Sequence, residues 1–266
     1  MYPDQQKKLK LIREAVEEQL AARSLGTRSP EGLFAPIDYT LSLGGKRIRP
    51  LLACAAAAAF TETWQQALPI AVALEIFHNF TLLHDDLMDR SPLRRGQETV
   101  YRRWGDNTAI LSGDAMSIEA YASLAEVADK SLLAELLPRF SQMALEVCVG
   151  QQYDMEFETR SEVHVEEYME MIRLKTAVLL ACSLKIGALI GGAPVHDAEV
   201  LYRFGIHIGL AFQLQDDMLD VYGDTSTFGK NIGGDILCDK KTFLSVLMYQ
   251  LATDEQKTRI AHYRKE

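Results

Sequence analysis

Apolar residues recur at spacings of three and four through most of the chain, the period of a helix with one buried face. Val200, Phe204, Ile208 and Ala211 form one such row, which runs on to Gln215. The pattern predicts helices near residues 3–24, 31–43, 48–62, 67–88, 106–128, 131–157, 164–186, 197–222 and 240–251, with a last one beginning near Asp254. Strand-like alternation bounded by Asn-Gly or Asp-Gly turns is absent. Pro30, Pro69, Pro92, Pro138 and Pro194 fall near helix starts or loops. No Ser/Gly-rich linker divides the chain. The expectation is therefore one all-α domain over residues 1–266, a bundle of about ten helices.

Composition leaves that picture in place. The chain has 266 residues, 48% hydrophobic and 24% charged, the balance of a soluble globular protein. A formal net charge of −9 argues against a nucleic-acid-binding surface. Cys54, Cys148, Cys182 and Cys238 are far apart, form no CxxC pair and are expected to be buried thiols in a reducing compartment. The first 20 residues are polar, with no signal-peptide stretch. The longest runs without Asp, Glu, Lys or Arg span 12 residues, such as Pro50 to Thr61, against roughly 20 for a membrane-spanning helix. A cytoplasmic protein without a transmembrane segment is expected.

One short motif occurs twice. Asp85-Asp86-Leu87-Met88-Asp89 and Asp216-Asp217-Met218-Leu219-Asp220 both read DDxxD, each at the end of a long apolar helical pattern. The first and last aspartates of each are four apart and share a helix face. Carboxylates stacked this way repel each other, and acids at a helix C-terminus oppose the helix dipole. A hard cation removes both costs. Mg2+ is commonly held by one or two carboxylates together with substrate phosphates. His78, Leu82, Asp85 and Asp89 form one row, and Gln213, Asp216 and Asp220 another. A solvated acidic helix end is the plain alternative for either cluster alone, and the repetition argues against it.

Basic residues lie where a phosphate would need them. In Gly44-Gly45-Lys46-Arg47-Ile48-Arg49-Pro50, two glycines permit close backbone approach, and Lys46 and Arg49 could reach one anion. A Gly-Gly turn followed by surface cations is the alternative. Arg94-Arg95-Gly96 follows the first aspartate cluster, as charge balance or as a phosphate grip. Lys175-Thr176 lies in a helix rich in Leu and Ala, where a lysine more often snorkels to the surface. Lys230 and Lys240 follow the second cluster. There is no P-loop, no strand-linked GxGxxG, no GxSxG and no HExxH. His84, beside Asp85, reads as a supporting hydrogen-bonding residue rather than a zinc ligand.

Taken in order, these motifs resemble the trans-type polyprenyl synthetases, the farnesyl and geranylgeranyl diphosphate synthases and their relatives. The match runs through GGKRIRP at 44–50, HNFTLLHDDLMDRSPLRRG at 78–96, Lys175-Thr176, FQLQDDMLDVYGD at 212–224, FGKNIGGD at 228–235 and Lys240 to Thr242. The resemblance implies a helical bundle of isoprenoid synthase type around a central cavity, usually a homodimer, with the two aspartate clusters facing across it. It implies that Asp85, Asp86, Asp89, Asp216 and Asp220 bind about three Mg2+ through an allylic diphosphate. Arg94, Lys175, Gln213, Lys230 and Lys240 would hold that diphosphate, with Thr176 beside Lys175 in the substrate site. Lys46, Arg49, His78 and Arg95 would hold isopentenyl diphosphate. The implied reaction is loss of the allylic diphosphate, attack of the isopentenyl double bond on the resulting cation, and loss of a proton. Phe80, five residues before Asp85, stands where the family often places an aromatic stop on product length, and ordinary core packing is its alternative. With small Thr81 next to it and no insertion inside DDLMD, geranylgeranyl diphosphate is favoured, with farnesyl diphosphate close behind.

Two other classes compete. A class I terpene cyclase shares the first DDxxD, but a full DDMLD second motif and a GGKRIRP loop count against it. A non-catalytic partner subunit of a prenyl synthase often loses one aspartate cluster, and here both are present. The chain ends at Glu266, where members of the resembled family run on by several helices. The expectation is a polyprenyl synthetase domain lacking its C-terminal helices.

Overall fold

The computed structural model describes residues 3–23, 25–223 and 240–263. Twelve α-helices are described, which we number in chain order. They are α1 (Pro3–Ala22), α2 (Glu31–Ser42), α3 (Ile48–Ala58), α4 (Leu68–Met88), α5 (Val100–Trp104), α6 (Asp106–Leu124), α7 (Lys130–Thr159), α8 (Val165–Ile172), α9 (Val178–Ile190), α10 (Val195–Tyr222), α11 (Phe243–Leu251) and α12 (Asp254–Tyr263). A π-helical segment, Arg173–Ala177, joins α8 to α9. Among the described residues the only sheet is a two-residue antiparallel hairpin, Leu93 opposite Glu98 and Arg94 opposite Gln97. The all-α class holds. The chain divides into two compact units, one of residues 1–139 and 183–201, the other of residues 140–182 and 202–266.

In the first unit α4 is the centre. Pro69 starts it, where a missing N–H costs nothing. Its residues are apolar almost all round, and Ile70, Val72, Leu74, Ile76 and Phe77 are buried, the mark of a core helix. It packs most extensively on α6, and also on α3. With the turn before it (Trp64–Met88), it is the one helix among the described residues long and apolar enough to cross a membrane. It is mostly buried inside the protein and carries Glu75, Asn79 and Asp86 in buried positions. The alanines of α3 let the chain come close. A Cβ at Gly187 or Gly191 would strike the carbonyls of Ala53 and Ala57.

The second unit has its own core of Phe157, Val163, Tyr168, Met171, Ile172 and Val246, with Leu210, Leu214 and Phe243 packed against it. Here α10 approaches α9 through small residues. A Cβ at Gly205 or Gly209 would meet Ala181 and Ala177. That contact explains a departure from expectation. The row Val200, Phe204 and Ile208 that announced α10 is exposed, because the glycine face is the one turned inward.

Other departures have local causes. Helix α3 stops at Ala58 rather than 62, in a turn closed by Phe60 and Thr61 donating to the Ala57 carbonyl. Helix α6 stops at Leu124, and α11 starts at Phe243, capped by Thr242, whose Oγ1 accepts from the Ser245 N–H at 3.4 Å. The short α5 and the hairpin have no amphipathic signal. Pro138 lies inside α7 rather than at a boundary, and beside it the Arg139 guanidinium donates to the Glu135 carbonyl at 2.8 Å. Cys54 and Cys182 are buried as expected, but Cys148 is exposed on α7. Cys238 lies outside the described residues.

Candidate functional site

In the first unit the C-terminal turn of α4 carries Asp85 and Asp86, and Asp89 caps it, its N–H donating to the Asp85 carbonyl at 2.8 Å. Asp86 is buried and its carboxylate is held by Arg94. The Arg94 Nε lies 3.0 and 3.1 Å from the two carboxylate oxygens and Nη2 2.6 Å from one. Burial pushes the Asp86 carboxyl up, the Asp85 and Asp89 charges add to this, and Arg94 opposes it. Asp85 lies 4.0 Å from the same guanidinium. Arg95 and Gly96 form the tip of the hairpin, both with positive φ (54° and 77°), as a type I′ turn requires. The hairpin is braced from three sides. Thr99 Oγ1 donates to the Ser91 carbonyl at 2.8 Å, Tyr39 to that of Glu98 at 2.8 Å, and Tyr101 to that of Arg90 at 2.7 Å.

The basic loop lies against this hairpin. The Arg95 guanidinium donates to the Gly44 carbonyl, and a Cβ at Gly45 would stand 2.9 Å from Arg95 Nη2. Lys46 is exposed, and Arg49 is partly buried with its Nε buried and lacking a hydrogen-bond partner among the described residues. Desolvation, with Arg95 adding and Glu75 opposing, pushes Arg49 down to about 10. His78, partly buried on α4, is held well below the usual histidine range by desolvation and then by Arg49, Arg95, Arg94 and Arg47. Desolvation first, and the charges of neighbouring arginines second, thus act on His78, Arg49 and Arg95 alike, which marks the three as sharing one basic neighbourhood. Phe80 contacts Phe77 (ring centroids 5.3 Å) and His84 (4.9 Å), and His84 Nε2 is 3.1 Å from the Ile110 carbonyl.

In the second unit a hydrogen-bonded chain joins the π segment to the second aspartate cluster. Thr176 Oγ1 donates to Gln213 Oε1 at 3.3 Å, and Gln213 Nε2 donates to Asp217 Oδ1 at 3.0 Å. Asp217 is buried and also accepts from the Tyr168 hydroxyl and from the Phe243 N–H at 2.9 Å. Burial and the adjoining Asp217 charge push the Tyr168 hydroxyl far up, so it stays a donor. Lys175 donates to Asp154 at 2.6 Å. Asp216 is partly buried and Asp220 buried. Lys240 is partly buried just ahead of α11, and Lys230 lies outside the described residues.

A sequence-family model described as "Polyprenyl synthetase" matches residues 30–266. The chain belongs to the polyprenyl synthetase family. It is 41% identical to a geranylgeranyl diphosphate synthase of Methanosarcina mazei, over 83% of this chain and 68% of that one. It is 38% identical to a geranylgeranyl pyrophosphate synthase of Geoglobus acetivorans, over 91% and 74%. The crystal structure of geranylgeranyl pyrophosphate synthetase from Pyrococcus horikoshii superposes with a TM-score of 0.91 at 35% identity, covering 95% of this chain and 77% of that one. The fold of this polyprenyl synthetase is therefore the isoprenoid synthase fold.

The donor set suits the ion such a synthetase would use. Among the described residues no three His, Cys, Asp or Glu side chains gather closely enough to cage a metal alone. Mg2+ needs no such cage, since it takes one or two carboxylates and fills its shell with water and substrate phosphate oxygens. Asp85 with Asp89, and Asp216 with Asp220, offer hard oxygens of that kind at a four-residue spacing.

Several residues of the synthetase's site escaped the motif reading. Asp154 pairs with Lys175, but its sequence neighbourhood is ordinary polar helix. Gly150 is a subtler signal: a Cβ there would strike the Lys175 backbone, so the π segment and α7 touch. Arg47 lies within the basic motif yet is 4% exposed and turned inward. Glu75 is the one Asp, Glu, Lys or Arg between Glu62 and Asp85, and a lone acid in an apolar helix was the clue.

Proposed function

We propose that this chain is a trans-prenyltransferase that condenses isopentenyl diphosphate with an allylic diphosphate (dimethylallyl, geranyl or farnesyl), giving a short-chain trans-prenyl diphosphate. One observation carries this reading. Two different anion-handling groups sit side by side along α4, carboxylates at its C-terminal end and the His78, Arg49 and Arg95 cluster two turns earlier. A diphosphate held through metal ions is activated to leave. A diphosphate held by cations alone is gripped and kept. A head-to-tail condensation needs one of each.

The roles follow from that division. Lys46, Arg49, His78 and Arg95 bind isopentenyl diphosphate. Arg94, Lys175, Gln213, Lys230 and Lys240 bind the allylic diphosphate, with Thr176 fixing Gln213. Asp85, Asp86, Asp89, Asp216 and Asp220 are the metal-ligating carboxylates, Asp86 being oriented by its pairing with Arg94. Mg2+, about three ions by family likeness, supplies positive charge to the departing diphosphate when bound. The allylic C–O bond breaks and its electron pair leaves with the diphosphate, whose new charge Arg94 and Lys175 stabilise. The double bond of isopentenyl diphosphate forms the new C–C bond, and the adjacent carbon loses a proton to the released diphosphate. An allylic cation survives only where water is excluded. Phe80 limits tail length, and geranylgeranyl diphosphate is the favoured product, ahead of farnesyl diphosphate. Likeness to the family supports a cytoplasmic homodimer as the working form.

The test is incubation of purified protein with isopentenyl diphosphate, Mg2+ and each allylic primer, with products sized by chromatography. Linear products longer by five-carbon units are expected. Cyclised products, or none, would overturn the assignment. Asp85→Ala and Asp216→Ala should each remove at least about 100-fold of turnover while leaving the circular dichroism unchanged. Near-normal turnover in either would sink the metal-ligand roles.

A further inference from the structure

Glu75 is 2% exposed inside the core helix α4. A buried lone carboxylate is costly unless its oxygens are bonded and its charge is paired. It accepts from Arg47 Nη1 at 2.7 Å and from Asn79 Nδ2 at 3.0 Å. Arg47 is itself buried, and its other donors go to the Leu41 carbonyl at 2.9 Å and to Glu17 at 2.8 Å. Its backbone is left-handed (φ 50°, ψ 38°), a strained state for a side-chain-bearing residue. Such strain persists where surroundings fix it, and here the clamped guanidinium does so. Arg47 lies directly after Lys46 and two residues before Arg49, so the clamp sets the direction in which both leave the loop.

Glu75 also acts on charge. Its carboxylate favours the charged forms of Arg49 and Arg95, which desolvation and neighbouring arginines otherwise depress. Asn79, its second donor, lines a small pocket with Asp86, Arg94 and Arg95. The same buried acid is thus tied to both flanks of the cation cluster and reaches neither solvent nor the cluster's open side.

We propose that Glu75 is a positioning residue for isopentenyl diphosphate, which through Arg47 fixes the backbone that carries Lys46 and Arg49 and touches no substrate itself. This rests on the function proposed above. The experiment measures KM for both substrates and the melting temperature in Glu75→Gln, in the double variant Arg47→Met with Glu75→Leu, and in Arg49→Ala. Glu75→Gln should raise the isopentenyl diphosphate KM by about tenfold or more, because a displaced loop misdirects both cations. The allylic KM should stay within about twofold. The double variant leaves no buried charge unpaired, since Glu17, the other partner of Arg47, has a side chain 46% exposed, so it should melt near the parent temperature and still show the raised isopentenyl KM. It remains decisive if Glu75→Gln fails to fold. A parent-like KM in the folded double variant would overturn the proposal and leave the pair a stabilising one. Arg49→Ala separates the two levels of argument. An unchanged KM there removes the assignment of the site itself, whereas a raised KM there with a normal KM in Glu75→Gln removes the positioning role alone.

Discussion

At the scale of single residues, the site is a set of groups held away from their ordinary ionisation. His78 faces Arg47, Arg49, Arg94 and Arg95, with Glu75 one turn away on its own helix, and desolvation with those cations keeps it neutral. Its folded pKa lies below the unfolded value of about 6.5. As pH falls through that value the unfolded chain takes up a proton that the folded chain refuses. The stability contributed by neutral His78 is therefore present above pH about 6.5 and is lost on acidification, at up to about 1.4 kcal/mol per pH unit. Thermal melts of the ligand-free protein at pH 7.5 and 5.5 should show a larger drop for the parent than for His78→Gln, and equal drops would show that His78 takes up its proton normally. Phe80 makes a different single-residue argument. It is only partly buried and touches Phe77 and His84, so its removal shortens nothing essential to the core. Phe80→Ala should lengthen the product by one or more five-carbon units with a stability cost at or below the about 3–5 kcal/mol of a buried Phe truncation. An unchanged product spectrum in the chromatogram would leave Phe80 as packing.

At the scale of elements, the helical period located α1, α4, α7 and α10 to within about three residues, because each has a long apolar face. The period could not locate what sits between faces. The hairpin that presents Arg94 and Arg95 is too short to carry a pattern and is made by hydrogen bonds from Tyr39, Thr99 and Tyr101. The π segment was invisible because an extra residue in one turn leaves composition unchanged, although such bulges gather at functional sites. DDxxD and GGKRIRP announced their charges, but not that Asp86, Asp217 and Arg47 spend theirs inside the protein. Partners such as Asp154 and Tyr168 are set by tertiary contact alone. The π segment yields a prediction of its own. Gly150 is the only residue type that lets α7 meet the Lys175 backbone, and Asp154, one turn on, holds the Lys175 amine. Gly150→Ala should destabilise by about 1–3 kcal/mol, the cost of overpacking. It should also raise KM for the allylic primer more than for isopentenyl diphosphate. An unchanged denaturation midpoint would mean that the two backbones do not meet.

At the scale of the whole molecule, a chain of net charge −9 has to bind two polyanions. Its global field opposes them, so attraction has to be local. On the proposed assignment the arginines of the basic loop and hairpin provide it for one diphosphate, and divalent ions for the other. On the same assignment the aspartate pairs couple the binding of the two, ion and diphosphate. Among the described residues no three acidic or imidazole groups form a cage, so Mg2+ alone has too few protein ligands to bind tightly. A diphosphate alone meets the repulsion of the aspartates. Each completes the other's site, and their binding should be strongly cooperative. Differential scanning fluorimetry of the ligand-free protein reads this directly, without turnover. Mg2+ alone and inorganic pyrophosphate alone should each move the melting temperature by no more than about 1 °C. Together, at about 100 times the joint dissociation constant, they should stabilise by about 2.7 kcal/mol. For a chain of this size that is a rise of about 5–10 °C. The rise should vanish with excess chelator and in Asp85→Ala, because the ion and its carboxylate are then missing. A full shift from Mg2+ alone would instead mean a preformed protein cage, and no shift from the pair would remove the aspartate clusters from metal binding altogether.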